Sequence, residues 1–110
     1  MPAKTPQAGS VGEATLALHL QAHKIEFDRE VCLIQGRKWR YDFLIKESAV
    51  VIEVNGAIWT QGRHSRGGGL ESDYLKINAI VKAGYRPLQY STRQVVDGTA
   101  IKDILEVLGK

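Results

Sequence analysis

Hydrophobic and polar positions along the chain predict a helix at the N-terminus followed by three strands. Residues 10–24 carry apolar side chains at helical spacing and predict the first helix. Residues 25–33 alternate loosely and predict a strand, while residues 39–45 and 49–54 are rich in aromatic and β-branched side chains and predict two more. The third strand is almost continuously apolar, which is typical of a central strand covered on both faces.

The pattern in the second half predicts a helix, a strand and a final helix. Residues 70–83 predict the second helix, with Gly84 placed to end it as a left-handed C-terminal cap. Residues 86–90 predict a fourth strand, and residues 99–108 predict the last helix. The order αβββαβα predicts an α/β or α+β fold, in which a small mixed sheet is flanked by helices.

Two carboxylates stand out because they lie within strands that are otherwise apolar. If the hairpin turns tightly at residues 46–49, residues pair where their numbers sum to 95, so Asp42 lies opposite Glu53. Their Cβ atoms are then about 5 Å apart. Two carboxylates this close repel each other unless a cation lies between them, and a divalent metal that prefers oxygen ligands meets that need. The alternative is that each pairs with a nearby arginine or points to solvent from an edge strand.

Two further polar residues could join this pair. Glu13 lies at the end of the apolar stripe of the first helix and could lean over the sheet toward a metal. Alternatively, Glu13 completes a capping box with Ser10. Asn55 lies two residues beyond Glu53 on the same face of the strand, where its amide can hydrogen-bond an attacking water but supplies no positive charge.

Lys76 and His64 are the candidates for handling the attacking water. Lys76 follows Asp73 by one helical turn, and we favour it slightly because Asp73 could hold its ammonium in place; a surface ion pair is the alternative. His64 lies in a glycine-rich loop between the third strand and the second helix, where functional side chains are common. It could act as a general base or acid, or simply be exposed to solvent.

Charge and composition add a candidate ligand. The net charge of +3 is modest, but basic residues cluster beside the candidate carboxylates, before the second strand and in the glycine-rich loop: Arg37, Lys38, Arg40, Arg63 and Arg66. Such clusters suggest a polyanion such as the backbone of DNA or RNA. A solvated basic surface is the alternative for either cluster alone.

The remaining composition predicts a small intracellular domain. The length of 110 residues predicts one domain over residues 10–110, preceded by a flexible arm over residues 1–9. Cys32 is the single cysteine, which excludes an intramolecular disulfide framework and fits a reducing compartment. No apolar run reaches the length of a membrane span or of a signal peptide, so a cytoplasmic location without membrane contact is expected.

The order of these motifs resembles the PD-(D/E)XK nuclease superfamily. The resemblance rests on the helix with Glu13, the strand with Asp42, the stretch Glu53-Val54-Asn55-Gly56 and the stretch Gly84-Tyr85-Arg86-Pro87-Leu88. These segments are similar to small phage and bacterial nucleases near the very short patch repair endonucleases, and the archaeal-type Holliday junction resolvases share the same core. The similarity extends over about residues 10–92.

The resemblance implies a restriction-endonuclease-like core that cuts DNA with the help of a metal. It implies that Asp42 and Glu53 bind Mg²⁺, for which Mn²⁺ can substitute. It also implies that the carbonyl of Val54 completes the metal shell and that Glu13 contributes directly or through water.

Two departures from the family pattern concern proton transfer. Asn55 replaces the family lysine, and Lys76 on the following helix could be a migrated substitute. Trp59 stands where the repair-like branch commonly has a histidine, and His64 could take that role from five residues further on.

The sequence therefore predicts a metal-dependent endodeoxyribonuclease. A homodimer making paired cuts is expected, because a domain of this size covers little of a duplex. Two other classes remain open. One is a catalytically impaired nucleic-acid-binding relative of the same fold, and the other is a structural protein of a mobile element.

Overall fold

The structure, a computed structural model, describes residues 10–55 and 67–110. Its elements follow in the predicted order, with one short helix added: α1 (Ser10–Ala22), β1 (Asp28–Val31), β2 (Tyr41–Ile45), β3 (Val50–Asn55), α2 (Gly67–Lys82), β4 (Arg86–Ser91), α3 (Thr92–Val96) and α4 (Thr99–Leu108). The predicted class, a mixed α and β fold with a four-stranded sheet flanked by helices, is confirmed.

The sheet has the strand order β1-β2-β3-β4, in which only the β3–β4 pair is parallel. A 3-10 turn at Lys46–Ser48 joins β2 to β3 and ends at Ala49 in the left-handed conformation, with φ of +58°. The predicted hairpin register is confirmed, because the paired residues of β2 and β3 are Phe43 with Ile52, Leu44 with Val51, and Ile45 with Val50.

Helices cover both faces of this sheet. The helices α1, α3 and α4 pack on one face, and the fully buried members of that core include Leu16, Leu20, Val95, Ile104, Phe43, Val50 and Ile52. On the opposite face α2 packs through Ile80 against Tyr41, Leu44 and Val51. Successive residues of β3 alternate between the two cores, which explains why its sequence reads as continuously apolar.

Gly12 lets α1 approach the sheet closely. A Cβ atom at this position would lie 2.8 Å from both Val54 Cγ1 and Thr92 Oγ1, and 3.3 Å from the Cα of Thr92. Only glycine fits this contact without displacing a neighbour. The contact holds the first turn of α1 at the end of β3, so that Glu13 lies near the edge of the sheet where Asp42 is found.

Most element boundaries agree with the sequence prediction, with two differences. The first strand is limited to β1, because the turn after α1 extends to Ile25, whose N–H donates to the Leu20 carbonyl at 3.0 Å. Within β1, Glu30 has a φ of +53°. The helix α3 was not predicted, although Ser91 and Gln94 form a capping box at its start. The left-handed conformation predicted for Gly84 is confirmed by its φ of +98°.

Two other expectations concern the domain organisation and membrane-spanning helices. The flexible arm predicted at residues 1–9 lies outside the described residues, and the single domain stays a prediction. Among the described helices, none is both long enough and apolar enough to cross a membrane.

Candidate active site

The alternation of β2 breaks at Asp42. Residues two apart on a strand normally share a face, yet Tyr41 packs with the core under α2 while Phe43 packs with the core on the opposite face. The regular pairing of β2 with β3 also ends at Phe43 and Ile52. Asp42 therefore lies where the two strands stop exchanging backbone hydrogen bonds, and its register places it beside Glu53.

The two carboxylates replace the missing backbone bonds. The Val54 N–H donates to Asp42 Oδ2 at 2.8 Å, and the Asp42 N–H donates to Glu53 Oε2 at 3.2 Å. Each side chain thus accepts a hydrogen bond from the opposite strand. The arrangement satisfies two backbone donors and at the same time brings two acidic groups together in a part-buried position.

Burial raises the pKa of both carboxyl groups. Desolvation is the main cause for Asp42, and with the negative charges of Glu53 and Glu30 it raises the pKa to about 6, against the lowering effects of the Val54 N–H and the Lys76 charge. Desolvation also raises the pKa of Glu53, with Lys76 opposing that shift. Desolvation disfavours a charge of either sign, whereas the charges of the neighbouring acids, a smaller cause of the shift at Asp42, favour a cation beside it.

Lys76 is the cation that the described residues supply. Its Nζ lies 3.3 Å from Glu53 Oε1 and 3.4 Å from Oε2. Tyr41 holds the lysine in two ways, because its ring lies 4.9 Å from Nζ and its hydroxyl donates to the Lys76 carbonyl at 2.8 Å. The lysine side chain is 20% exposed and that of Glu53 is 15% exposed, so the pair is largely sheltered from solvent screening.

The expectation that Asp73 would hold the Lys76 ammonium is wrong. Among the ion pairs of residues 10–55 and 67–110, Lys76 is paired with Glu53 and not with Asp73. Asp73 is nevertheless close to the site, since its charge contributes to raising the pKa of Glu53. The physical reason is that α2 lies across the sheet, so the lysine reaches a carboxylate on β3 that is better shielded from water than its neighbour one turn away.

Glu13 lies near the carboxylate pair but is held by an arginine. Arg29 Nη2 lies 3.2 Å from Glu13 Oε1, and the same guanidinium lies 5.3 Å from the centre of the Phe43 ring. Burial and the charge of Asp42 raise the pKa of Glu13, while Arg29 opposes that shift. Glu13 is therefore close enough to Asp42 for their charges to interact, and Arg29 neutralises its carboxylate. The side chain of Ser10, its expected capping partner, lies outside the described part of the chain.

A cleft of about 510 Å³ opens beside the pair, between α2 and the end of the sheet. It is lined by Glu53, Asn55, Asp73, Tyr74, Lys76, Ile77, Asn78 and Gln89. Gln89 on β4 is the direct register partner of Glu53 on β3, and Asn55 is the last residue of β3. The cleft therefore reaches Glu53 and Lys76.

The predicted basic residues fall in two groups. Arg37, Lys38 and Arg40 precede β2 at the same end of the strand as Asp42; the Arg37 guanidinium stacks 4.3 Å from the centre of the Trp39 ring. Arg40 lies 3.6 Å from Glu30 in an exposed ion pair. His64, Arg63 and Arg66 lie outside the described residues.

Several neighbours of the site were missed by sequence reasoning. Arg29, Glu30 and Gln89 approach it across strand pairings, and Tyr41 fixes Lys76 from the position before Asp42. The sequence signal for Tyr41 was its place next to a buried carboxylate. The others required the order of strands in the sheet, which the sequence does not fix.

Comparisons with known proteins support the fold. The chain is similar to a solved structure, the catalytic domain of the homing endonuclease I-Bth0305I, with a TM-score of 0.65 and 21% sequence identity over 86% of this chain and 89% of that chain. No protein-family model matches the chain, and no curated protein is similar to it in sequence. The fold is therefore one that a nuclease catalytic domain also uses.

Proposed function

We propose that this chain is a metal-dependent endonuclease that hydrolyses phosphodiester bonds in DNA. The observation that carries the proposal is the convergence of Asp42, Glu53 and Lys76 where the β2–β3 ladder ends, beside an open cleft. A part-buried carboxylate pair with raised pKa values is unusual as a purely structural device and is frequent at functional sites. The fold shared with a homing endonuclease catalytic domain supports the same reading.

The donor set suits Mg²⁺. Among the described residues, no group of three or more histidine, cysteine or acidic side chains is arranged to hold a metal. The proposed ligands are therefore a pair of carboxylates, Asp42 and Glu53. Magnesium commonly binds one or two carboxylates and keeps several waters. Under this proposal the Val54 carbonyl and Glu13 are additional ligands, directly or through water, and Mn²⁺ can substitute. When bound, such a metal polarises a phosphoryl oxygen and lowers the pKa of a coordinated water.

Lys76 acts as a fixed positive charge in this proposal. Tyr41 orients both its ammonium and its backbone, so the charge is in place before substrate arrives. It can stabilise negative charge on the phosphate and orient a water held by Glu53, which is the task the resemblance gives to a lysine at the position of Asn55. The Asn55 amide, at the edge of the cleft, can hydrogen-bond the same water. His64 stays a candidate for the general base.

DNA is the proposed polyanion because of the residues that precede β2. Arg37 and Lys38 are exposed at the same end of the sheet as the carboxylates, and Arg40 is exposed beyond its ion pair with Glu30. Phosphate contacts by such side chains supply most of the non-specific affinity for DNA. Arg63 and Arg66 are proposed to add to that surface, and a homodimer would allow paired cuts.

One observation favours a second candidate, a nucleic-acid-binding relative that no longer cuts. Lys76 is already engaged by both oxygens of Glu53, which lowers the charge available to a substrate. In such a protein the pair would be a structural ion pair, and DNA binding would be independent of metal.

A cleavage panel tests the proposal. Labelled single strand, duplex, mismatch, nicked duplex, flap and four-way junction are incubated with Mg²⁺, Mn²⁺ or EDTA under single-turnover conditions. A metal-dependent product is expected from at least one DNA, and Asp42→Asn and Glu53→Gln are expected to abolish it while retaining DNA binding. Native cleavage by Asp42→Asn would refute the metal-site assignment, and binding without product from any substrate would favour the second candidate.

The same assay separates the roles of Lys76 and His64. Lys76→Ala is expected to lose roughly 10²-fold or more in rate, and Lys76→Arg to retain part of it. Lys82→Ala, which removes an exposed lysine from the last turn of the same helix, is the matched control and should cleave normally. A histidine base predicts instead that the rate rises through neutral pH and falls by roughly 10²- to 10⁴-fold in His64→Ala. If both variants keep native rates, neither residue handles the water.

A further inference from the structure

We propose that the cleft beside Glu53 binds one unpaired nucleobase, so that the substrate is DNA with an unstacked nucleotide next to the bond that is cut. This inference rests on the proposed function only in placing nucleic acid at this edge of the sheet. Tyr74, Ile77, Asn78 and Gln89, which line the cleft, have no role in the proposed metal site, whereas Asn55 is placed in both.

The lining of the cleft matches the face and edge of a base. Tyr74 on α2 is 57% exposed although it is a large aromatic residue, and Ile77 adds an apolar wall. Aromatic side chains of this kind are the usual stacking platforms for single-stranded bases. The amides of Asn55, Asn78 and Gln89 surround the same space. Each amide carries both donors and an acceptor, as reading a base edge requires.

The charge of the cleft favours a base over a phosphate. Among the described residues, its lining contains two carboxylates, Glu53 and Asp73, and one ammonium, Lys76, so without a bound metal their negative charge is in excess by one. A phosphate inside the cleft would meet that excess, whereas a neutral base would not. Asp73 can also accept a hydrogen bond from the amino group of a base. The phosphates would stay at the carboxylate edge and near Arg37 and Lys38.

The size of the cleft suits a single nucleotide. Its volume of about 510 Å³ is in the range of pockets for small ligands, about 300–1,000 Å³. One base with its sugar is a ligand of this size, whereas a base pair that is stacked within a duplex cannot move out of the duplex into the cleft. Extrusion of a nucleotide requires unstacking, which is least costly for a base that is already unpaired.

Binding without cleavage tests the inference. Fluorescence anisotropy in EDTA compares three labelled duplexes: one with a single bulged nucleotide, one with an abasic residue at that place, and one fully paired. The bulged base should bind about tenfold or more tightly than the abasic bulge, since stacking on an aromatic side chain commonly contributes that much. Tyr74→Ala should remove the preference and Tyr74→Phe should keep it. Asn78→Ala and Gln89→Ala should each reduce it several-fold.

The controls keep this result separate from the nuclease proposal. Gln21→Ala removes an exposed amide from α1, outside the cleft, and should leave the preference intact. Equal binding of the bulged base and the abasic bulge, or a full preference in Tyr74→Ala, would overturn the inference. A base preference without any metal-dependent product would refute the nuclease and leave the cleft assignment standing. Cleavage of all duplexes without a base preference would do the reverse.

Discussion

Replacing Asp42 by asparagine should stabilise the protein at neutral and alkaline pH in metal-free buffer. The amide is nearly isosteric with the carboxylate, and its oxygen can still accept the hydrogen bond of the Val54 N–H. The substitution removes a charge that burial and the neighbouring acids Glu53 and Glu30 disfavour. Wild type loses stability through this charge because its fold holds the Asp42 and Glu53 carboxylates close together in a part-buried position.

The size of the gain follows from the pKa of Asp42. A rise from 3.8 to about 6 is roughly two pKa units. Each unit corresponds to about 1.4 kcal/mol, which gives about 3 kcal/mol as an upper value. The side chain is only half-buried, so screening by solvent reduces the expected gain to about 1–2 kcal/mol.

The pH dependence has a definite sign. An acid whose pKa is raised on folding binds its proton more tightly in the folded state, so wild type loses stability as the pH rises from about 4 through 6. Below about pH 4 both states are protonated, and the difference between wild type and Asp42→Asn should become small. Above about pH 7 the advantage of the variant should reach a plateau.

Urea unfolding at pH 4 to 8 in EDTA measures this difference. Glu47→Gln, which neutralises an exposed carboxylate in the same hairpin, is the matched control and should show no comparable gain. Asp42→Ala should instead be destabilised at every pH, because it leaves the Val54 N–H without its acceptor. The reasoning is refuted if Asp42→Asn gains nothing at pH 8 or gains the same amount at pH 4.

Two further predictions concern the metal and the packing of α1. Mg²⁺ should raise the melting temperature of wild type but not that of Asp42→Asn or Glu53→Gln. The stabilisation by Mg²⁺ should fade below about pH 6, because protons compete with the metal for Asp42. An equal rise in all three proteins would place the metal elsewhere. Gly12→Ala should lower the free energy of unfolding by about 1–2 kcal/mol, although alanine has the better helix propensity. The reason is that its Cβ would lie 2.8 Å from Val54 Cγ1 and from Thr92 Oγ1. Unchanged stability in urea would show that α1 shifts without cost.

The fold could largely be predicted because local chemistry and global topology agree. The hairpin register followed from two strand-forming segments around a short polar turn, and the last helix was predicted at its observed bounds. Gly84 was recognised as a helix terminus for the same local reason. The first strand was predicted to start too early, because the turn after α1 extends to Ile25, whose N–H donates to the Leu20 carbonyl. The capping box at Ser91 was visible in the sequence and was overlooked.

The site could be predicted only in part, since its partners come from distant segments. The closeness of Asp42 and Glu53 followed from register alone, and their hydrogen bonds to the opposite strands agree with it. The partner of Lys76 could not be predicted from register, because Lys76 and Glu53 are 23 residues apart. The packing of α2 on the sheet decides which carboxylate the lysine contacts. Residue spacing predicts a pairing within one helix, Asp73 with Lys76, but the packing of α2 on the sheet places Lys76 against Glu53 instead.

The carboxylate pair serves the strands as well as the site. Asp42 and Glu53 each accept a backbone hydrogen bond where the β2–β3 ladder opens, so that ladder can stop there without leaving two N–H groups unsatisfied. Because those bonds orient the carboxylates, the charge repulsion between them is maintained by the fold and is only partly offset by Lys76. A divalent cation would relieve that repulsion without breaking either hydrogen bond. The opening of the β2–β3 ladder, the raised pKa values and the proposed metal site therefore all lie at one feature, the irregularity of β2 at Asp42.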